Sequence, residues 1–184
     1  MPFNFFFKKK DSEESFDPLK DLVLSKLKVG YILDYDMKTW VVSDYNKYNI
    51  DGHVSHEWEL TSGREKIYLE REEDDDVFWS VCKKLPIGAI DGGIKKYIME
   101  NDDPPEQITV KENKYYMDES GAGFMYKGGL GRGIEFIFWT FVDADDKGFI
   151  TIEQWGESEF DAVEGIFVEE YQFSNILPGQ TKSS

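Results

Sequence analysis

The sequence predicts a mainly β protein: two small twisted antiparallel sheets or half-barrels from a degenerate internal repeat, with one short N-terminal helix. Three observations carry that expectation. Beyond Val29, apolar residues alternate with polar ones at period two, in short runs rich in Val, Ile, Tyr, Phe and Trp. Asp, Asn and Gly, the residues of tight turns, cut these runs apart. One order of elements occurs twice: strand, loop, Trp-bearing strand, polar turn, returning strand. A content of 40% apolar and 16% aromatic residues excludes a disordered acidic chain, although the formal net charge is -16 over 184 residues.

The first 15 residues group Phe3, Phe5, Phe6 and Phe7 with Lys8, Lys9 and Lys10, then Asp11, Ser12, Glu13 and Glu14, without a repeating apolar face. They read as a disordered or docking leader. Their charges follow the apolar stretch, the reverse of a secretory signal. Asp17-Pro18 supplies an N-cap and a proline at the first helical position. Leu19, Leu22, Val23 and Leu27 then fall near helical spacing and Gly30 ends the run. A helix of about ten residues is expected there, too short to stand without packing on something.

Tyr31-Ile32-Leu33, Thr39-Trp40-Val41-Val42 and Glu57-Trp58-Glu59-Leu60 follow as strands. In the third, Trp58 and Leu60 face a core while Glu57 and Glu59 face water. Thr61-Ser62-Gly63 turns the chain into Ile67-Tyr68-Leu69, and Val77-Phe78-Trp79-Ser80-Val81 comes next. Residues 94–101 fit either a brief helix or a strand. Asp102-Asp103-Pro104-Pro105 reads as an internal joint between 16–103, the helix plus a first β subdomain, and 104–178, a second β subdomain, with 179–184 as a tail. Strands resume at residues 107–110 and 114–117. Glycines at 121, 123, 128, 129, 131 and 133 precede residues 134–142, whose two faces are both largely apolar, as in a central strand. Residues 149–152 pair back on it, and residues 166–173 close the sheet. In the repeat, Trp40-Val41-Val42 corresponds to Tyr115-Tyr116-Met117, Glu57-Trp58-Glu59-Leu60 to Phe138-Trp139-Thr140-Phe141, and Tyr68-Leu69-Glu70 to Thr151-Ile152-Glu153.

This ordering resembles the domain-of-unknown-function family 4178. The likeness rests on Leu27-Lys28-Val29-Gly30, Trp40-Val41-Val42, Trp58-Glu59-Leu60 and the return strand ending at Leu69. It continues through Tyr115 with Glu119, Ser120, Gly121 and Ala122, through Trp139 and Ile152-Glu153-Gln154-Trp155-Gly156, to Asn175-Ile176-Leu177-Pro178. It therefore spans about residues 27–178. No zinc-binding cysteine pair precedes the domain, so no metal-ribbon role transfers. The resemblance implies no established activity and no catalytic residues, and it implies a setting among bacterial membrane-stress and polyamine-type genes, a matter of context and not of chemistry.

Charge and motifs narrow the function classes. No basic patch offers itself to a phosphate backbone, so nucleic acid is not an expected ligand. One cysteine, Cys82, excludes a disulfide framework and fits a cytoplasmic location. No apolar run is long enough for a transmembrane segment. Asp143-Ala144-Asp145-Asp146-Lys147-Gly148-Phe149-Ile150 resembles a calcium loop, but Lys147 stands at the fifth position and Gln154 at the twelfth. A hairpin turn fits better. Gly128-Gly129-Leu130-Gly131-Arg132-Gly133 matches neither phosphate-binding fingerprint and reads as a hairpin connection. His53 and His56, three apart on a strand, point to opposite faces, so no metal site and no cofactor is expected.

The acidic run Glu70-Arg71-Glu72-Glu73-Asp74-Asp75-Asp76 is either a solvated turn or a docking surface for a basic or membrane-associated protein partner. In the docking reading, the binding residues are Glu72, Glu73, Asp74, Asp75 and Asp76, with a second patch at Trp155 and Glu157. The expectation is a non-enzymatic protein-interaction domain, an adaptor in a membrane-stress system. Three rivals stand beside it: a hydrolase whose pocket joins His56, Glu59 or Cys82, an acidic mimic of DNA, and a small-molecule sensor with a cavity between the two sheets.

Overall fold

A computed structural model describes residues 17–179. The leader expected over residues 1–15 lies outside the described residues, as does all of the expected tail but Gly179. Eleven antiparallel strands form the body: β1 (Ile32–Tyr35), β2 (Lys38–Ile50), β3 (His53–Ser62), β4 (Glu65–Glu73), β5 (Val77–Lys84), β6 (Gln107–Val110), β7 (Asn113–Lys127), β8 (Ile134–Asp143), β9 (Gly148–Gln154), β10 (Phe160–Val168) and β11 (Ser174–Leu177). Their order in space is β11-β1-β2-β3-β4-β5-β10-β9-β8-β7-β6, with a further pairing of β2 to β7. That pairing closes β2-β3-β4-β5-β10-β9-β8-β7 into a ring of eight strands, with β1 and β11 flanking β2 and with β6 flanking β7.

The expectation of two separate sheets is corrected here to one continuous sheet. Edge strands supply the reason. An isolated first half would leave one edge of β5 open, and an isolated second half one edge of β10, each a row of unpaired backbone groups. The two edges satisfy each other, with Val81 opposite Ile166 and Lys84 opposite Val163. The second seam is shorter, from Asn46 opposite Lys127 to Asn49 opposite Phe124. Bulges let the long strands reach it. The register shifts between Val42 and Asp44 in β2 and between Met117 and Glu119 in β7, so each strand bends away from its flanking partner.

Alternation places two apolar cores on the two halves. Leu33, Trp40, Val42, Trp58, Leu60, Ile67 and Leu69 fill the first. Ile108, Val110, Tyr115, Trp139, Phe141, Ile150 and Ile152 fill the second. The first is capped by the N-terminal segment, which is not the single helix the spacing predicts. The chain makes one α-turn, α1 (Pro18–Asp21), then turns extended at Val23 (φ -117, ψ 154) before a one-turn 3-10 segment at Leu24–Lys26. Tertiary contact outweighs propensity in so short a run. Leu24 and Leu27 are buried in the core, and the Trp58 Nε1–H donates to the Leu27 carbonyl at 3.0 Å. The second core is capped by α2 (Ile94–Asn101), the ambiguous stretch, which lays Ile94 and Ile98 on it. Among the described residues no helix is long and apolar enough to cross a membrane.

The Asp143–Gly148 segment is a hairpin turn between β8 and β9. Asp143 Oδ1 accepts from the backbone N–H of Lys147 (2.9 Å) and of Asp145 (3.2 Å), and Oδ2 accepts from that of Gly148 (2.9 Å). The carboxylate that would open a calcium loop already serves the backbone. Asp143→Ala should cost about 1–2 kcal/mol, the size of a lost charged cap. Millimolar calcium should leave the melting temperature of either protein unmoved. A calcium-dependent rise in the wild type that vanishes in the variant would restore the calcium reading.

Candidate functional site

The same alternation that buries Trp58, Leu69 and Ile152 turns their neighbours Glu57, Glu70 and Glu153 the other way, into the ring. Glu57 and Glu70 are direct partners across β3 and β4. At that register, side-chain stems stand about 5 Å apart. Glu153 reaches them from β9. These carboxylates form the waist of a cavity with two chambers, one of about 620 Å³ and one of about 660 Å³, that share Tyr48, Glu57, Glu70, Glu153 and Val163 as common walls.

The waist is sparsely satisfied. The Asn46 amide donates to Glu57 Oε1 at 2.9 Å, and the Tyr48 hydroxyl lies 3.4 Å from both Glu57 oxygens. Ser80 Oγ donates to Glu70 Oε2 at 3.2 Å. Asn46 Oδ1 and Trp155 Nε1, both buried, have no hydrogen-bond partner. Trp155 lies close enough to Glu153 to help hold its charge, without closing a well-formed bond to it. Its ring stacks on Phe136 at 4.9 Å.

Enclosure acts on these acids in one direction. Loss of water, and then the charges of Glu57, Glu72 and Glu153, push the Glu70 carboxyl up to about 8. Loss of water raises Glu153 to about 7 against the pull of Lys84, and raises Glu57 against the Asn46 bond. By surface area all three are half-buried, because they border the open space rather than packed side chains. Near neutral pH the waist therefore holds protons that three exposed carboxylates would have released.

The two chambers differ in character. The first is walled by Phe136, Phe138, Val142 and Phe149, and its mouth carries Glu72, Glu73, Asp74, Asp118 and Glu119 beside Phe78 and Phe167, which are 54% and 50% exposed. The second is polar, with Lys84, Lys95 and Lys127 among Asp44, Glu59 and Glu159.

Of the docking residues read from sequence, Glu72, Glu73 and Asp74 stand at the first mouth. Asp75 and Asp76 lie exposed just beyond it. Trp155 lines the second chamber as a half-buried side chain, and Glu157 is exposed in the turn after it. The structure therefore puts the two expected patches at opposite ends of one cavity. His56 borders the first chamber, Glu59 the second and Cys82 neither, so the three do not come together. His56 Nδ1 bonds the Tyr45 hydroxyl at 2.7 Å and its ring stacks on Trp58, while Cys82 packs with Phe149 and Val163, its thiol pushed well up by burial. Among the described residues, no group of three or more His, Cys, Asp or Glu is arranged to hold a metal ion.

Sequence reasoning missed the waist because it sent Glu57 to water. One signal was present: the repeat expected from sequence set Glu70 beside Glu153, and both border the cavity.

Compared with known proteins, residues 28–170 match the family described as "Domain of unknown function (DUF4178)". An uncharacterised protein of Aquifex aeolicus (strain VF5) is 26% identical over 169 residues, which cover 92% of this chain and 93% of that relative. No solved structure matches the chain.

Proposed function

The chain belongs to the family described as "Domain of unknown function (DUF4178)", and from that premise we propose that it is a non-enzymatic binding protein that takes a small organic cation into the cavity between its halves. The observation that carries this reading is the convergence of Glu57, Glu70 and Glu153 on one waist that space reaches from two sides. Like charges so close are costly without a counter-ion. A protonated amine or a guanidinium head supplies the positive charge and the N–H donors that these oxygens and Asn46 Oδ1 lack. The acidic first mouth raises the local concentration of such a ligand and speeds its arrival.

The same reading treats β1–β5 and β6–β10 as two copies of one unit with the site between them. Equivalent registers support it: Trp40 faces Leu33 as Tyr115 faces Ile108, and Trp58 faces Leu69 as Trp139 faces Ile152. A second reading, a basic protein partner docked on Glu72, Glu73 and Asp74, is favoured by the exposed Phe78 and Phe167 beside those acids.

The test is a titration of n-butylammonium and methylguanidinium, followed by amide NMR shifts at pH 6 and pH 9. Binding requires charged carboxylates, and Glu70 and Glu153 lose their protons only above about 8 and about 7. An alkylammonium, like a lysine side chain near 10.4, stays charged over that range. Affinity should therefore rise at least tenfold from pH 6 to pH 9, with shifts centred on β3, β4 and β9. No shifts at either pH, or binding that is stronger at pH 6, would sink the cation reading.

A further inference from the structure

Resting on the cation reading, we propose that the ligand is amphiphilic: a single ammonium head that seats on Glu57, Glu70 and Glu153, with an apolar tail that lies back along the aromatic wall of the first chamber. The two chambers decide this between them. On the first side, Phe136, Phe138, Phe149 and Val163 line the chamber while they pack on Trp155, Phe167 and Cys82 behind it. Such a surface gains from any apolar group that displaces its water. The Phe136 and Phe138 rings lie 6.0 Å apart and tilted by 37°, side by side along one strand, a wall for a chain or a flat ring.

On the second side the wall is of the opposite kind. Lys84, Lys95 and Lys127 border that chamber among Asp44, Glu59, Glu159 and Asp161, a charged wall that offers an apolar tail nothing. Lys84 is pinned to Asp161 at 2.9 Å, and burial fails to release its proton because Asp161 and Glu153 hold the charge. A tail pushed past the waist would lie on charged groups, whereas one left in the first chamber lies on phenylalanines. The apolar end of the ligand therefore belongs in the first chamber. The head enters through a mouth rimmed by Glu72, Glu73, Asp74, Asp118 and Glu119, passes the aromatic wall and stops at the waist. The tail remains on the wall behind it.

Asn46 Oδ1 marks where the head stops. Asn46 offers its orphan acceptor to an ammonium N–H. The Trp155 ring, stacked on Phe136, stands on the far side as the closing surface.

The experiment compares methylammonium, n-hexylammonium, 2-phenylethylammonium, hexane-1,6-diammonium and neutral n-hexanol on the full chain at pH 9, by NMR titration. Each buried methylene is worth roughly fourfold in affinity. Hexylammonium and phenylethylammonium should therefore bind at least thirtyfold more tightly than methylammonium. The diammonium of the same length, which puts a charge where the chain should be apolar, should bind no more tightly than hexylammonium, and hexanol should bind least. Phe138→Leu, which keeps an apolar side chain in place, should weaken hexylammonium several fold and leave methylammonium unchanged. Equal binding of methylammonium and hexylammonium, or a diammonium tighter than hexylammonium, overturns the amphiphile while the cation reading stands. Hexanol as tight as hexylammonium, or no binding by any probe, overturns the cation reading and the amphiphile with it.

Discussion

Glu70→Gln should make the protein more stable at pH 9 by roughly 2–3 kcal/mol while it weakens cation binding at least tenfold. Glu70 is raised to about 8, chiefly by enclosure and then by Glu57, Glu72 and Glu153. Its ordinary value in an unfolded chain is near 4.3. A group raised on folding contributes its stability in full below the unfolded value and loses it as pH climbs through the folded one. The native protein should therefore weaken steadily from about pH 4.5 to about pH 8 on account of this residue. The full shift corresponds to about 5 kcal/mol, which water in the open chamber reduces to the smaller figure above. Glutamine keeps the shape and can still accept from Ser80 Oγ, so the variant should lose less stability than wild type between pH 6 and pH 9, the remaining loss coming from Glu153 and Glu57. Urea melts at both pH values, with wild type alongside, decide the matter. A variant less stable than wild type at pH 9 would mean that Glu70 is held by a favourable partner instead of confined against its charge. Loss of binding in a protein that has gained stability would assign Glu70 to the ligand instead of to the scaffold.

Gly123→Val should lower stability by about 3 kcal/mol or more, a drop of roughly 6–12 °C in melting temperature for a chain of this size. Gly123 sits where β7 meets β2 to close the ring. A Cβ there would lie 2.7 Å from the Asn49 carbonyl oxygen and 2.9 Å from Ile50 Cγ1. The first of these neighbours is backbone and cannot step aside, so the strands must part. The seam is short, the pairs from Asn46–Lys127 to Asn49–Phe124 with one more bond from the Gly128 N–H to the Tyr45 carbonyl, and it has little to spare. Hydrogen exchange should show lost protection on both sides of the seam, with β3–β4 and β8–β9 protected as before. Cation binding should fall as well, since β2 delivers Asn46 and Tyr48 to the waist. Gly88→Ala, where an added Cβ meets nothing within 4 Å, should be neutral and serves as the control. A Gly123→Val protein that melts with wild type and keeps its seam amides protected would show that the ring does not depend on this close approach.

The strands were legible because their faces differ so sharply. Trp58 and Leu60 against Glu57 and Glu59 announces alternation, and the doubly apolar run at Phe136–Phe141 announces a strand with something on each side. Both readings hold, yet the second face was misjudged in kind. An acid beside a buried tryptophan normally points to bulk water, and only closure of the ring converts that water into a cavity. Closure itself was not legible, because it depends on two segments that look like loops. The second part of β2, Asp44-Tyr45-Asn46-Lys47, is polar, and the second part of β7 contains Gly121 and Gly123. Glycines in a strand mark close backbone approach as readily as they mark a turn, and nothing local tells the two apart. The N-terminal helix failed for the complementary reason. Leu22, Val23 and Leu27 have helical spacing, but the first core takes Leu24 and Leu27 and bends the chain to seat them.

The first core is completed by residues from the far end of the chain, Val168 and Phe173, and β1 is flanked by β11 through Ile32 opposite Leu177. Phe173 follows Val81 by 92 residues. At ordinary speeds of synthesis, the first half waits roughly 5–20 s on the ribosome before its last pieces arrive. During that interval β5 and the outer part of β2 are open edges whose proper partners have not yet been made. Two chains emerging side by side from one message can satisfy those edges by trading second halves, with every native pairing preserved across the exchange. An interlocked dimer is thus the characteristic misassembly of this topology, and expression rate should govern its yield more strongly than the stability of the finished monomer.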